Sequence, residues 1–173
     1  RWDDAERELR QALEINPRFV AAYEHLARLA ALRGDAEAAE RYVVQAVDVG
    51  EMSDGDVAGQ RAAVRGWAAL SRGDVVSLRQ AVTDPAIKGG DLDLALLRVI
   101  AAGRSGDAAG ARAAWEASRE AWPGLDEKGS APVRAMFDLM EAVVLLAEGR
   151  AAAAVDATTK ADGADNRPSR RNP

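Results

Sequence analysis

Reactive side chains must gather at set spacings before they can do chemistry, and His25 is the only histidine in this sequence. A metal site takes several ligands, and no cysteine is available to join the imidazole. Acid–base work would need a carboxylate or nucleophile beside the ring, whereas Glu24 points to a different helix face. His25 therefore reads as a solvated or groove-lining side chain. The carboxylates Asp54 with Asp56, and Asp91 with Asp93, could suggest calcium. Neither segment has the twelve-residue loop with its closing glutamate, so both read as solvated loops. Gly103, Gly106 and Gly110 fit neither the dinucleotide nor the P-loop spacing, and both motifs need a preceding strand. These glycines read as a hairpin turn. No serine stands in a Gly-x-Ser-x-Gly elbow. No catalytic, cofactor-binding or metal-ligating residue is expected, and the chain is not read as an enzyme.

The elements that carry these residues follow from composition. Hydrophobic residues make up 48% of the 173, yet aromatics only 5%. Alanine supplies most of the difference, and alanine is the strongest helix former and allows helix axes to approach closely. A sheet protein would draw on β-branched and aromatic residues instead. The fold class is all-α. The formal charge is −5, from 23 basic and 28 acidic residues that are interspersed along the chain. Lys88, Lys128 and Lys160 are its only lysines. The arginine excess reads as the mark of a GC-rich bacterial genome, and the folded body shows no basic stripe for nucleic acid. No apolar run approaches the ~20 residues that cross a bilayer, so no membrane insertion is expected. The compartment is open between cytoplasm and periplasm, with the cytoplasm preferred. The chain starts at Arg1 rather than Met, and is expected to be part of a longer protein.

A marker recurs along the sequence: Arg33-Gly34-Asp35, Arg72-Gly73-Asp74, Ser105-Gly106-Asp107 and, more weakly, Glu148-Gly149-Arg150. Its glycines stand 39, 33 and 43 residues apart. Each follows one apolar-periodic stretch and precedes another. Glycine can end a helix in the left-handed conformation, and the aspartate after it can cap the next helix. Each marker is expected to be the tight turn of a helix hairpin. The unit with the clearest pattern puts Tyr23, Leu26, Ala27 and Ala30 on one face of its first helix, and Ala39, Val43 and Ala46 on one face of its second. The expected organisation is an array over residues 1–162, with a half repeat at 2–17 and hairpins at 20–49, 57–82, 92–122 and 133–161. Longer connections fall at Gly50–Asp56 and Asp84–Asp91. A polar tail, 163–173, is expected to be disordered. In the last hairpin, counting back from Gly149 puts Asp138 and Glu141 at apolar positions, and one extra turn residue moves Phe137, Met140 and Val144 there instead.

The segment from Trp2 to Pro17 resembles the second half of a tetratricopeptide repeat, with Ala5, Leu9, Ala12 and Pro17 at the family's fixed offsets. The next unit follows in phase with Tyr23, Leu26, Ala27, Ala30, Gly34, Ala39, Val43 and Ala46, although Glu51 replaces the closing proline. Gly66, Ala69 and Gly73 fit a further first helix, and Ala111, Trp115, Ser118 and Pro123 a further second helix. The resemblance implies a right-handed α-solenoid of about four hairpins plus the leading half repeat. It also implies recognition of a peptide or helical segment of a partner protein on the concave face of the first helices. Projected onto this chain, that face carries Ala21, Glu24, His25, Arg28, Gln60, Ala63, Val64 and Trp67, and farther along Leu96, Ile100, Leu139 and Val143. Glu24, His25, Arg28, Gln60, Val64 and Trp67 form the expected peptide-binding set. Trp67 has two readings, a groove anchor or a packing residue against a neighbouring repeat. Trp2 and Trp115 are expected in the core, and Trp122 over a helix end. Only Arg28 could serve the carboxylate clamp by which some family members hold chaperone tails, so that partner is disfavoured. Two alternatives stay open: a structural spacer or self-associating segment, and the regulatory array of an enzyme whose catalytic domain lies upstream.

Overall fold

A computed structural model describes residues 2–84, 87 and 91–165, with side chains to Thr159. The described residues form ten α-helices and no strand: α1 Trp2–Ile15, α2 Val20–Leu32, α3 Ala36–Gly50, α4 Asp54–Ser71, α5 Val75–Val82, α6 Leu92–Arg104, α7 Ala108–Ala121, α8 Leu125–Lys128, α9 Ala131–Ala147 and α10 Ala151–Asp165. The chain is all-α. It divides into two compact units, Arg1–Leu97 and Arg98–Pro173, with the division inside α6.

The recurring glycine markers are the turns that fold consecutive helices back on one another. At the end of α2, Gly34 has φ +83 and donates its N–H to Ala31, while Asp35 N–H reaches back to Ala30. These two bonds satisfy carbonyls that a helix end leaves without partners. Asp35 then caps α3 by accepting the N–H of Ala38 at 2.9 Å. The same arrangement recurs at Gly73 and Asp74, which caps through Ser77, and at Gly106 and Asp107, which caps through Gly110. At Gly149 the glycine turn is kept, with Arg150 N–H bonded to Leu145, but arginine cannot accept an N–H and no side-chain cap forms there.

In the first unit, α2 packs on α3, α4 on α5, and the first hairpin meets the second through α2–α4 and α3–α4 contacts. The core between them is built from small residues, with Ala27, Ala31 and Ala39 fully buried beside Val43 and Val64. Gly66 shows how close the helices come: a Cβ added there would lie 2.9 Å from Leu97 Cδ1. Leu26, Leu78, Leu94 and Leu97 fill the remaining space. Full burial of each such leucine is worth about 1.5–3 kcal/mol. In the second unit, α9 packs on α10 and α7, and Ala142, Leu145, Ala154 and Ala157 form one core cluster. Phe137, Met140 and Val144 are buried, but so are Ala142 and Leu145, and the turn at Gly149 repeats the backbone bonds of the turn at Gly34, so no extra turn residue is inserted.

Several expectations are corrected. α4 begins at Asp54 rather than Val57, because Ser53 and Asp56 form a reciprocal capping box that starts the helix three residues earlier. α3 runs on to Gly50, and Glu51 closes it in the left-handed conformation at φ 50. α8 was not expected. α10 continues to Asp165, so residues 163–165 are helical rather than part of a disordered tail; the rest of that expected tail lies outside the described residues. Part of the Asp84–Asp91 connection lies outside them too. Trp2 is 50% exposed rather than in the core. It sits in the first turn of a helix that packs mainly on α2, reaches α3 through Arg10 and Tyr42, and contributes no fully buried residue. Trp115 is half-buried, with the guanidinium carbons of Arg112 and Arg119 at 5.3 and 5.2 Å from its ring centroid.

Candidate interaction face

All six residues of the expected peptide-binding set lie in the first unit, on α2 and α4, but they do not share one role. Val64 is buried in the α2–α3–α4 core, and so does not face a groove. Ala63 and Leu96 are buried as well. The reason is the closeness of the helix axes: small neighbours such as Gly66 and Ala68 leave no gap into which Val64 could open. Of the farther positions, Leu139 is exposed, and Val143 is half-buried in the second unit, where its Cγ1 would lie 2.8 Å from a Cβ added at Gly103.

The remaining five residues fall into two groups, Glu24 with Gln60, and Arg28 with His25 and Trp67. Gln60 donates from Nε2 to Glu24 Oε1 at 2.6 Å, tying α4 to α2. Arg28 donates from one terminal nitrogen to both oxygens of Asp93, at 2.6 and 2.8 Å, which ties α2 to α6. Its other terminal nitrogen lies 2.8 Å from His25 Nδ1. Arginine is always protonated and only donates, so Nδ1 is the acceptor and the neutral ring carries its proton on Nε2. The Arg28 guanidinium also lies 5.9 Å from the centroid of Trp67, within cation–π range. Trp67 is half-buried and packs against the alanine-rich core, and its Nε1–H is enclosed without a hydrogen-bond partner. Of its two readings, the geometry favours a packing residue with one polar edge over a free anchor.

Burial raises the Glu24 carboxyl above its ordinary range, the Asp91 and Asp93 carboxylates push it the same way, and Arg28 opposes them. The His25 imidazole moves down, first by loss of water around the ring and then by the Arg28 charge, with Asp93 opposing. By surface area His25 is nonetheless exposed. Beside Glu24 and Gln60 lies a cleft of ≈ 320 Å³ whose walls include Met52, Asp56, Gly59 and Leu94.

Asp93 is the residue that reading the sequence missed. It was visible as one of a carboxylate pair, but its partner stands 65 residues away, and no local spacing announces a pair of that kind. Among the described residues no group of three His, Asp or Glu side chains is placed to hold a metal ion. No described helix is long and apolar enough to cross a membrane. Comparison of the chain with protein-family models, with curated proteins and with solved structures finds no match.

Proposed function

We propose that the chain is a tetratricopeptide-like interaction module that holds a peptide or helical segment of a partner protein along the α2–α4 face. The observation that carries the reading is the row of Glu24 and Gln60, bonded to each other, and Arg28, bonded to Asp93 and set near Trp67, drawn from two successive hairpins. Such a row offers a ligand fixed acceptors and donors beside an open cleft, so little side-chain freedom is lost when a partner binds. Arg28 acts in this reading as a brace for the face and not as a hand that grasps the ligand, because Asp93 already takes two of its hydrogen bonds.

That same ion pair favours a second reading, in which the first-helix face is filled by its own chain and the array is a spacer. A photo-crosslinking amino acid at Gln60 separates the two, with one at the exposed Val44 of α3 as the control. The interaction reading expects crosslinks from position 60, absent from position 44, that map to one segment of one partner in extracts of the source cell. Crosslinks from neither position support the spacer.

A further inference from the structure

Arginines of the first unit divide by position along the chain. Every one from Arg7 through Arg61 is ion-paired with a carboxylate. Arg65, Arg72 and Arg79, all on the α4–α5 hairpin, have no ion-pair partner among the described residues. Two of the three, Arg65 and Arg72, line one cleft of ≈ 390 Å³ formed by α4, α5 and Ala36 at the start of α3. Ser77 and Gln80 add neutral polar groups to its wall, Ala68 and Ala81 add apolar surface, and Asp84 is its one carboxylate. The other acidic residue nearby, Asp74, is committed to capping α5 through the Ser77 N–H at 3.0 Å. Arg65 gives its Nε–H to the Arg61 carbonyl at 3.2 Å, which fixes the stem and leaves both terminal nitrogens to donate outward. Seven residues along a helix is nearly two full turns, so the two arginines stand on the same side of α4, about 10 Å apart. By the same geometry they lie across the helix from Gln60 and Trp67.

We propose that this cleft is a second docking surface, separate from the α2–α4 face, and that it takes an acidic segment of a partner protein. Two carboxylates about 10 Å apart, as at positions i and i+7 of a helix, meet Arg65 and Arg72, and Gln80 bonds the segment between them. A guanidinium fork suits a carboxylate, and neither arginine has an ion pair among the described residues to break when it binds one, although the Arg72 charge also acts on Asp74. Two cations on a chain of net charge −5 are too few for a nucleic-acid backbone, which selects against a polynucleotide.

The test uses the whole chain and fluorescein-labelled, alanine-based helical peptides carrying Glu at positions i and i+7, or Gln at both, read by fluorescence anisotropy at low salt. Saturable binding of the Glu peptide is expected, weaker by about two- to fivefold for the Gln peptide, for Arg65→Gln and for Arg72→Gln. Arg79→Gln removes the same charge outside the cleft and is expected to leave binding unchanged. Both cleft arginines are exposed, so thermal melts of the variants should match the parent. The proposal is overturned if Arg79→Gln weakens binding as much as Arg72→Gln, if the Gln peptide binds equally well, if binding does not saturate, or if a single-stranded oligonucleotide of equal charge displaces the peptide.

Discussion

Replacing glycine by alanine should have opposite effects at two positions of this chain, and the difference can be worked out from the backbone. Gly34 has φ +83, and a Cβ built there meets no atom within 4 Å, so alanine would add strain without a clash. Left-handed backbone costs an L-residue about 1–2 kcal/mol, and the stiffer unfolded chain returns about 0.4–1 kcal/mol. Gly34→Ala should therefore lose about 1 kcal/mol. Gly59 lies inside α4 with ordinary helical geometry, and an added Cβ would meet Leu94 Cδ1 at 3.6 Å, an ordinary van der Waals distance. Alanine there gains helix propensity of up to about 1 kcal/mol without crowding. Chemical denaturation followed by far-UV circular dichroism would read both, and for a chain of this size 1 kcal/mol shifts the melting temperature by about 2–4 °C. Gly34→Asn should lose less than Gly34→Ala, since asparagine tolerates the left-handed region. If Gly34→Ala is neutral or stabilising, the hairpin turn is not built as described. If both substitutions move stability in the same direction, the reasoning from backbone conformation fails.

Three further predictions test the surroundings of Arg28. A double-mutant cycle of Arg28→Ala and Asp93→Ala should give a coupling of about 1–2 kcal/mol, above that of a surface pair, because the two side chains are only 29% and 25% exposed; a coupling near zero would remove the brace. The His25 pKa is lowered from 6.5, so the folded protein binds fewer protons than the unfolded chain between that value and the folded one. The stability this gives is present above about pH 6.5 and lost as pH falls through the folded pKa. The parent should therefore lose more stability than His25→Gln between about pH 7.5 and 5.5, and equal losses would show that the ring is not held neutral by its surroundings. Trp67→Ala should destabilise by about 2–3 kcal/mol, less than for a fully buried tryptophan. Trp67→Phe should cost much less, because it keeps most of the ring and removes the unpartnered Nε1–H; equal losses would mean that the indole nitrogen has a partner.

The hairpin turns were legible because they are local. Glycine followed by aspartate states both the end of one helix and the start of the next within three residues, and three of the four markers use the pair in that way. Helix starts set by side-chain reciprocity were less legible. Ser53 and Asp56 sit in a stretch that composition alone marks as a loop, and only their mutual hydrogen bonds turn it into the first turn of α4. The face was half legible. Helical period brought Glu24, Arg28, Gln60 and Trp67 toward one side, but the same period also selected Val64. Whether a position lies over a groove or over a neighbour depends on how closely the axes approach, which one helix's sequence does not state. The pairing of Arg28 with Asp93 was illegible for a related reason: the two stand 65 residues apart, and only the fold brings the start of α6 within reach of Arg28.

The central claim is that the α2–α4 face holds a partner segment, and the most direct measurement is an affinity. The segment found by crosslinking at position 60 would be made as a peptide and titrated calorimetrically into the parent, Gln60→Ala, Glu24→Gln and Arg65→Gln. Loss of a central contact in a desolvated interface costs about 2 kcal/mol or more, roughly thirtyfold in dissociation constant. The expected result is a loss of that order for at least one of Gln60→Ala and Glu24→Gln with the fold retained, and no change for Arg65→Gln, which lies across α4. Unchanged affinity in both face variants would contradict the account and move the binding site off α2 and α4.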